Sequence, residues 1–222
     1  MSQPAFFNLK ANSPASCAEA LTLCRRVLDD AGVVIVPTDT VYGIACRADF
    51  AESVQRIFKI KHRPANQPLA LLVSQETRPS DYGVQEDETL HRLLERWWPG
   101  ALTVVAPSSL SLIEGLQGPE KTVGLRAPNH AWLQELLRRL PQALAATSAN
   151  RSGEPEVFRI GDLDKEMLAQ VDLVIDAGPV SGDPRPSTVV GKKGRKWTVF
   201  REGSIPNSEI EPLLDVSTLK IN

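Results

Sequence analysis

Short, unbroken apolar runs punctuate this chain: "VVIV" at 33–36, "LALLV" at 69–73, "LTVVA" at 102–106, "ALAAT" at 143–147 and "LVID" at 173–176. A run with no polar alternation fits a strand buried on both faces, which requires helices packed above and below a sheet. The intervening segments have helical spacing. Ala20, Leu21, Cys24, Val27 and Leu28 form one apolar stripe, following a capping-box pattern from Ser16 to Glu19 and closing at Gly32. Val54, Ile57 and Phe58 mark a helix over 52–61 that Pro64 prevents from continuing. Leu90, Leu93, Leu94 and Trp97 mark a third, ended by Pro99–Gly100. Leu133, Leu136, Leu137 and Leu140 mark a fourth, capped by Asn129, and 163–171 reads as a fifth. "TVGLR", "STVV" and "WTVF" read as further strands, the last two flanking the basic turn Gly191–Lys196. The alternation predicts an α/β layer fold with a twisted mixed sheet flanked by helices.

With 222 residues, 42% apolar and 23% charged, the chain can bury one sizeable core. Its net charge of -2 argues against a bulk nucleic-acid binder, which is usually basic throughout. Cys17, Cys24 and Cys46 are odd in number and match no zinc spacing, so reduced, buried thiols are expected. No signal peptide opens the chain and no apolar run approaches membrane-spanning length. The expectation is a soluble cytoplasmic protein.

Function is sought where polar residues interrupt the buried runs, because ligands of open α/β sheets bind near the carboxyl ends of strands. "PTDTVYG" follows the first run, Arg126 follows "TVGL", and "TSANRSG" follows "ALAA". Any one of these serves equally well as a turn. Together they suggest a pocket. In "KIKHRP", Lys61 lies seven residues beyond Val54 and so continues the inward face of its helix, while Arg56 and Lys59 point elsewhere. An inward lysine must snorkel or meet an anion. Arg63 precedes Pro64 and so leaves the helix separately. Lys61 and Arg63 together suit phosphate, one as a point charge and one as a planar fork. Neither a Walker-type loop nor G-x-G-x-x-G is present. "GKKGRK" reads as a solvated hairpin turn, and Trp97–Trp98 as packing. His62, His91 and His130 are scattered, without metal-site or triad spacing.

Taken in order, "PTDTVYG", "KHRP…QPLALLV", "WPGALTVV", "VGLRAPNH", "TSANRSG" and "PSTVV…VFREGSIP" resemble the YrdC-like family of L-threonylcarbamoyladenylate synthases. The paired elements K-x-R (Lys61, Arg63) and S-x-N (Ser148, Asn150) are the most specific part. The resemblance covers 17–205, leaving 1–16 as an N-terminal segment and 206–222 as a C-terminal tail.

The resemblance implies a deep, positively charged cleft. It also implies synthesis of L-threonylcarbamoyl-AMP from L-threonine, bicarbonate and ATP, with Mg²⁺ accompanying ATP and pyrophosphate released. The product serves N6-threonylcarbamoyladenosine formation at position 37 of tRNA, which makes tRNA and tRNA-modification complex proteins further partners. By the same resemblance, Lys61, Arg63, Ser148 and Asn150 are catalytic. Arg63, Gln67, Thr122, Ser148 and Arg201 bind ATP, and Thr40, Arg126 and Ser187 bind threonine and bicarbonate. Two positions depart from many relatives: Gln67 stands where a third cation is common, and Leu72 where some have histidine. Closure of the cleft by an additional C-terminal domain, as in the long form of the family, is not expected. A YciO-type, non-catalytic RNA-binding paralogue is the alternative, although such proteins tend to lose both paired elements. A carbamoyl-handling segment of a hydrogenase maturation protein would normally come with acylphosphatase and zinc-finger modules, which the sequence lacks.

Overall fold

The computed structural model describes residues 4–9, 13–180 and 185–214. Among them the strands are β1 (Ala5–Asn8), β2 (Val34–Val36), β3 (Gly43–Arg47), β4 (Ala70–Leu72), β5 (Leu102–Pro107), β6 (Thr122–Arg126), β7 (Leu144–Ser148), β8 (Leu173–Asp176), β9 (Thr188–Lys193) and β10 (Lys196–Arg201). The helices are α1 (Pro14–Asp29), α2 (Ala51–Lys61), α3 (Glu88–Trp97), α4 (Ala131–Arg139), α5 (Lys165–Leu168) and α6 (Asn207–Leu214). The strands join in one mixed sheet, in the order β1-β8-β2-β3-β7-β4-β6-β5-β9-β10. No helix among the described residues is long and apolar enough to cross a membrane.

The two faces of the sheet are covered unequally. One face carries Ile35, Ile44, Leu71, Val104, Leu125 and Val190, and α2, α3, α5 and α6 pack over it. The other face carries Val34, Val36, Ala45, Leu144, Leu173 and Ile175 beneath α1 and α4. The cluster beneath those two helices takes in residues of β8, β2, β3, β7 and β4 but none of β6, β5 or β9. Strand alternation then explains the exposed remainder, because residues two apart share a face. Along β6, Val123 and Leu125 enter the larger core, while Thr122, Gly124 and Arg126 point to the uncovered side.

Several local readings change. The α1 cap is Ser13, whose hydroxyl accepts from the Ser16 amide, and Pro14 occupies the first turn, where its missing N–H costs nothing. Ala31, not Gly32, takes the left-handed conformation (φ 58°) after α1. Gly32 is required for a different reason, since a Cβ there would lie 2.6 Å from the Val27 carbonyl oxygen. The α4 cap is His130, whose Nδ1 accepts from the Leu133 amide at 3.4 Å, rather than Asn129. The helix expected over 163–171 shortens to α5, capped by Asp164. Arg56, pointing away from the inward face of α2, pairs with Asp172 at 2.6 Å. The basic turn is a β9–β10 hairpin, as expected, with Gly194 at φ 60°.

Both ends of the chain extend the fold. Within 1–16, β1 adds a parallel edge strand to β8. Within 206–222, α6 packs on α3 and β10 with Ile210 fully buried, and 215–222 lie outside the described residues. Ile210→Ala is therefore expected to cost about 2–5 kcal/mol of stability. Urea unfolding measures it, and a loss below about 0.5 kcal/mol would mean that α6 does not dock.

Candidate functional site

The uncovered half of the sheet is the floor of a cleft of about 730 Å³. Small or short side chains make this floor: Ala70, Thr103, Val105, Gly124, Ala146 and Val189. The site therefore lies across a sheet face and not only at strand ends. Thr122 opens β6 and Arg126 closes it, so one strand places polar groups about 13 Å apart along the floor.

Lys61 is the best-buried charge in this cleft, at 1% exposure. It ends α2, which lies on the opposite face, and its side chain passes the sheet end to reach the segment after β7. There its ammonium donates to the carbonyl oxygens of Ser148 and Asn150, and lies 3.4 Å from Asn150 Oδ1. The Ser152 amide returns a bond to the Lys61 carbonyl. His62 adopts a left-handed conformation (φ 51°), which ends the helix and turns Arg63 towards the cleft. Arg63 Nε donates to the Gln67 carbonyl at 2.7 Å and NH2 to the Pro68 carbonyl at 3.2 Å. Gln67 thus positions Arg63 through its backbone, while its exposed side chain lies at the cleft wall. Ser148 Oγ donates to Asn150 Oδ1, and Asn150 Nδ2 donates to the Glu154 carbonyl at 2.6 Å. Thr122 Oγ1 donates to the Pro119 carbonyl at 3.0 Å, also on the wall.

Arg126 organises a second cluster. Its guanidinium, 6% exposed, donates to Gly100 O (3.1 Å), Thr40 Oγ1 (2.9 Å) and Asp39 Oδ1 (2.6 Å). Those bonds leave two of its five N–H groups for a ligand. Thr38 Oγ1 holds the loop in place by accepting from the Thr40 and Val41 amides. Ser187 exchanges a 2.8 Å hydroxyl contact with Thr103, and Arg201 NH2 donates to the Ser187 carbonyl at 2.8 Å. Gly203 permits that close approach, as a Cβ there would lie 2.2 Å from the Pro186 carbonyl oxygen.

The structure brings Lys61, Arg63, Gln67, Thr122, Arg126, Ser148, Asn150, Ser187 and Arg201 into this one cleft. Thr40 differs. It is 1% exposed, stands behind Arg126 and does not line the wall. Sequence reasoning missed Asp39, the ion-pair partner of Arg126. An acid between two threonines directly after a buried strand was the available signal. It also missed Glu154 and Glu156, which line the cleft and follow from no spacing rule. Burial lowers the pKa of all three arginines. Repulsion from Arg201 adds to this at Arg63 and Arg126, while Asp39 and Glu156 oppose it at Arg126 and Arg201 respectively. Clustered, desolvated cations of this kind in a cleft mark it as a candidate functional site.

The family model for Sua5, YciO and YrdC proteins, described as "Telomere recombination", matches residues 26–203. The chain belongs to this family. A curated relative, the threonylcarbamoyl-AMP synthase of Bacillus subtilis (strain 168), is 30% identical over 207 residues, covering 93% of this chain and 58% of the relative. The crystal structure of Pyrococcus abyssi Sua5 complexed with L-threonine shares the fold at TM-score 0.82 and 26% identity, over 96% of this chain and 61% of that one. Escherichia coli YciO matches at TM-score 0.76 and 24% identity, over 95% of this chain and 99% of that one, which shows a common fold. This member of the Sua5/YciO/YrdC family spans about three fifths of the length of the first two relatives.

In this family member the Lys61 ammonium gives up its proton more readily than an ordinary lysine does. Burial, then repulsion from Arg63, lower its pKa to about 8, against a weaker opposing pull from Glu156. A bound anion favours the charged form and raises that value again, so affinity falls as pH rises through about 8. Lys61 should add about half a proton of uptake when pyrophosphate binds at pH 8, beside any change in the protonation of pyrophosphate itself. Calorimetry in buffers of different ionisation enthalpy measures this. Lys61→Arg, which cannot titrate in this range, should abolish this added uptake; undiminished uptake in that variant would assign the proton elsewhere.

Proposed function

We infer that this chain makes L-threonylcarbamoyl-AMP from L-threonine, bicarbonate and ATP, releasing pyrophosphate. The observation that carries the reading is the convergence of the K-x-R and S-x-N side chains with Arg126 in one cleft. The threonine carboxylate pairs with the two remaining N–H groups of Arg126, beside the Ser187 hydroxyl. Thr40 and Asp39 act through Arg126 by fixing its orientation. The threonine nitrogen, once deprotonated, bonds to the bicarbonate carbon and water leaves, giving a carbamate. A carbamate oxygen then bonds to the α-phosphorus of ATP as the bond to pyrophosphate breaks. Lys61, Arg63 and Arg201 stabilise the negative charge that grows on the leaving group. Ser148, Asn150 and Thr122 supply short polar contacts that hold the nucleotide in line, so positioning carries most of the rate.

Magnesium fits this wall as an ion brought by ATP. The exposed Glu154 at the cleft mouth is the carboxylate that would help to hold it. When bound it neutralises phosphate charge. The product passes to tRNA-modification proteins acting on tRNA.

The deciding assay is pyrophosphate release from ATP that depends on both threonine and bicarbonate. Arg63→Ala should remove about 2–5 kcal/mol of transition-state stabilisation with an unchanged circular dichroism spectrum. Normal turnover in a folded Arg63→Ala protein would end that role. Wild-type protein that binds RNA tightly yet releases no pyrophosphate would select the RNA-binding alternative. Asp39→Asn should raise KM for threonine by about tenfold or more, through loss of a charged hydrogen bond to Arg126, with KM for ATP little changed. Equal rises in both constants would show a general loss of structure instead.

A further inference from the structure

A carboxylate stands among the cations of the cleft, with one oxygen that accepts no hydrogen bond among the described residues. Glu156 lines the same wall as Lys61, Arg63 and Arg201. Its Oε2 is buried and has no hydrogen-bond partner among the described residues. Buried polar atoms without partners are rare in native proteins, and each calls for a reason. Loose packing is not the reason here, because the segment is pinned on both sides of the residue. Asn150 Nδ2 holds the Glu154 carbonyl at 2.6 Å, and the Val157 carbonyl accepts from the Tyr42 amide at 2.9 Å, with the Val157 side chain in the core. The backbone that carries Glu156 is therefore held in place.

The cations it faces are fixed as well. Lys61 is tethered to the segment after β7, and Arg201 to the Ser187 carbonyl. The Glu156 charge acts on both, favouring their charged forms. A polyphosphate entering this cleft meets the same two cations and also meets the carboxylate. A like charge beside an anion site weakens every anion-bound state.

We propose that Glu156 is a built-in counter-anion of the phosphate-binding cleft, competing with polyphosphate for Lys61 and Arg201 and so promoting release of pyrophosphate. This rests on the reading of the cleft as a nucleotide site. It does not require the adenylate chemistry to occur.

The test is pyrophosphate binding to the full chain by calorimetry, with release followed by stopped flow, for wild type, Glu156→Gln and Glu156→Ala. Both variants should bind pyrophosphate about three- to tenfold more tightly than wild type and release it more slowly. The gain should shrink as salt rises, because the added attraction is screened. A residue that only supports the loop would give equal or weaker binding, and that result in folded variants overturns the proposal. Weaker binding together with a higher magnesium requirement would also overturn it, by making Glu156 a cation ligand. Tighter binding in the variants, alongside wild-type protein that releases no pyrophosphate from ATP, would keep this inference while ending the proposed function.

Discussion

The Lys61 ammonium is the contact on which the cleft depends. It is buried, yet its donors meet carbonyl oxygens of Ser148 and Asn150 and approach the Asn150 side chain, so it satisfies both itself and the end of β7. A buried charge without such partners would cost several kcal/mol. The bonds join two elements distant in the sequence: the end of α2 and the end of β7 with the segment that follows it. Arg63, Ser148 and Asn150 inherit their positions from that junction. Burial and repulsion from Arg63, not these bonds, bring the pKa of the ammonium down to about 8.

The second constraint is incomplete coverage of the sheet. Two helices, α1 and α4, are too few to cover one whole face of a ten-strand sheet whose other face carries the remaining helices. An exposed apolar floor would normally be a liability. Here the floor residues are small, and the walls bring charged groups from α2, β6 and β10. The result is a broad trough in which Arg126 with Asp39 marks one region and Lys61 with Arg63 another, Arg201 being felt by both Arg63 and Arg126. Such a trough sets two cationic regions apart along one sheet face.

Much of this was legible beforehand. Continuous apolar runs located most central strands, because a strand covered on both faces has no polar side to display. The inward direction of Lys61 followed from helical periodicity alone, and its 1% exposure agrees. The misses have physical causes. β3, "GIACR", is fully sheltered between β2 and β7, but glycine, alanine and cysteine give it little strand propensity. β1 is an edge strand whose side chains stay largely exposed, so no burial pattern announced it. α6 contributes chiefly one fully buried side chain, Ile210, too little for a periodic signal.

Sequence by itself determined the layer architecture and the local chemistry: where most of the central strands lie, which face of α2 turns inward, and which residue types can meet an anion. Those depend on periodicity and side-chain chemistry, which act over a few residues. Only the tertiary structure decided that Asp39 faces Arg126, that Thr40 stands behind it, and that Glu156 shares a wall with Lys61 and Arg201. These pairs are separated by 86 or more positions in two cases, Arg126 with Thr40 and Asp39. Their meeting is set by strand order and by which part of one sheet face the helices leave bare. No local pattern encodes that, because it follows from how ten strands and their helices share a single surface.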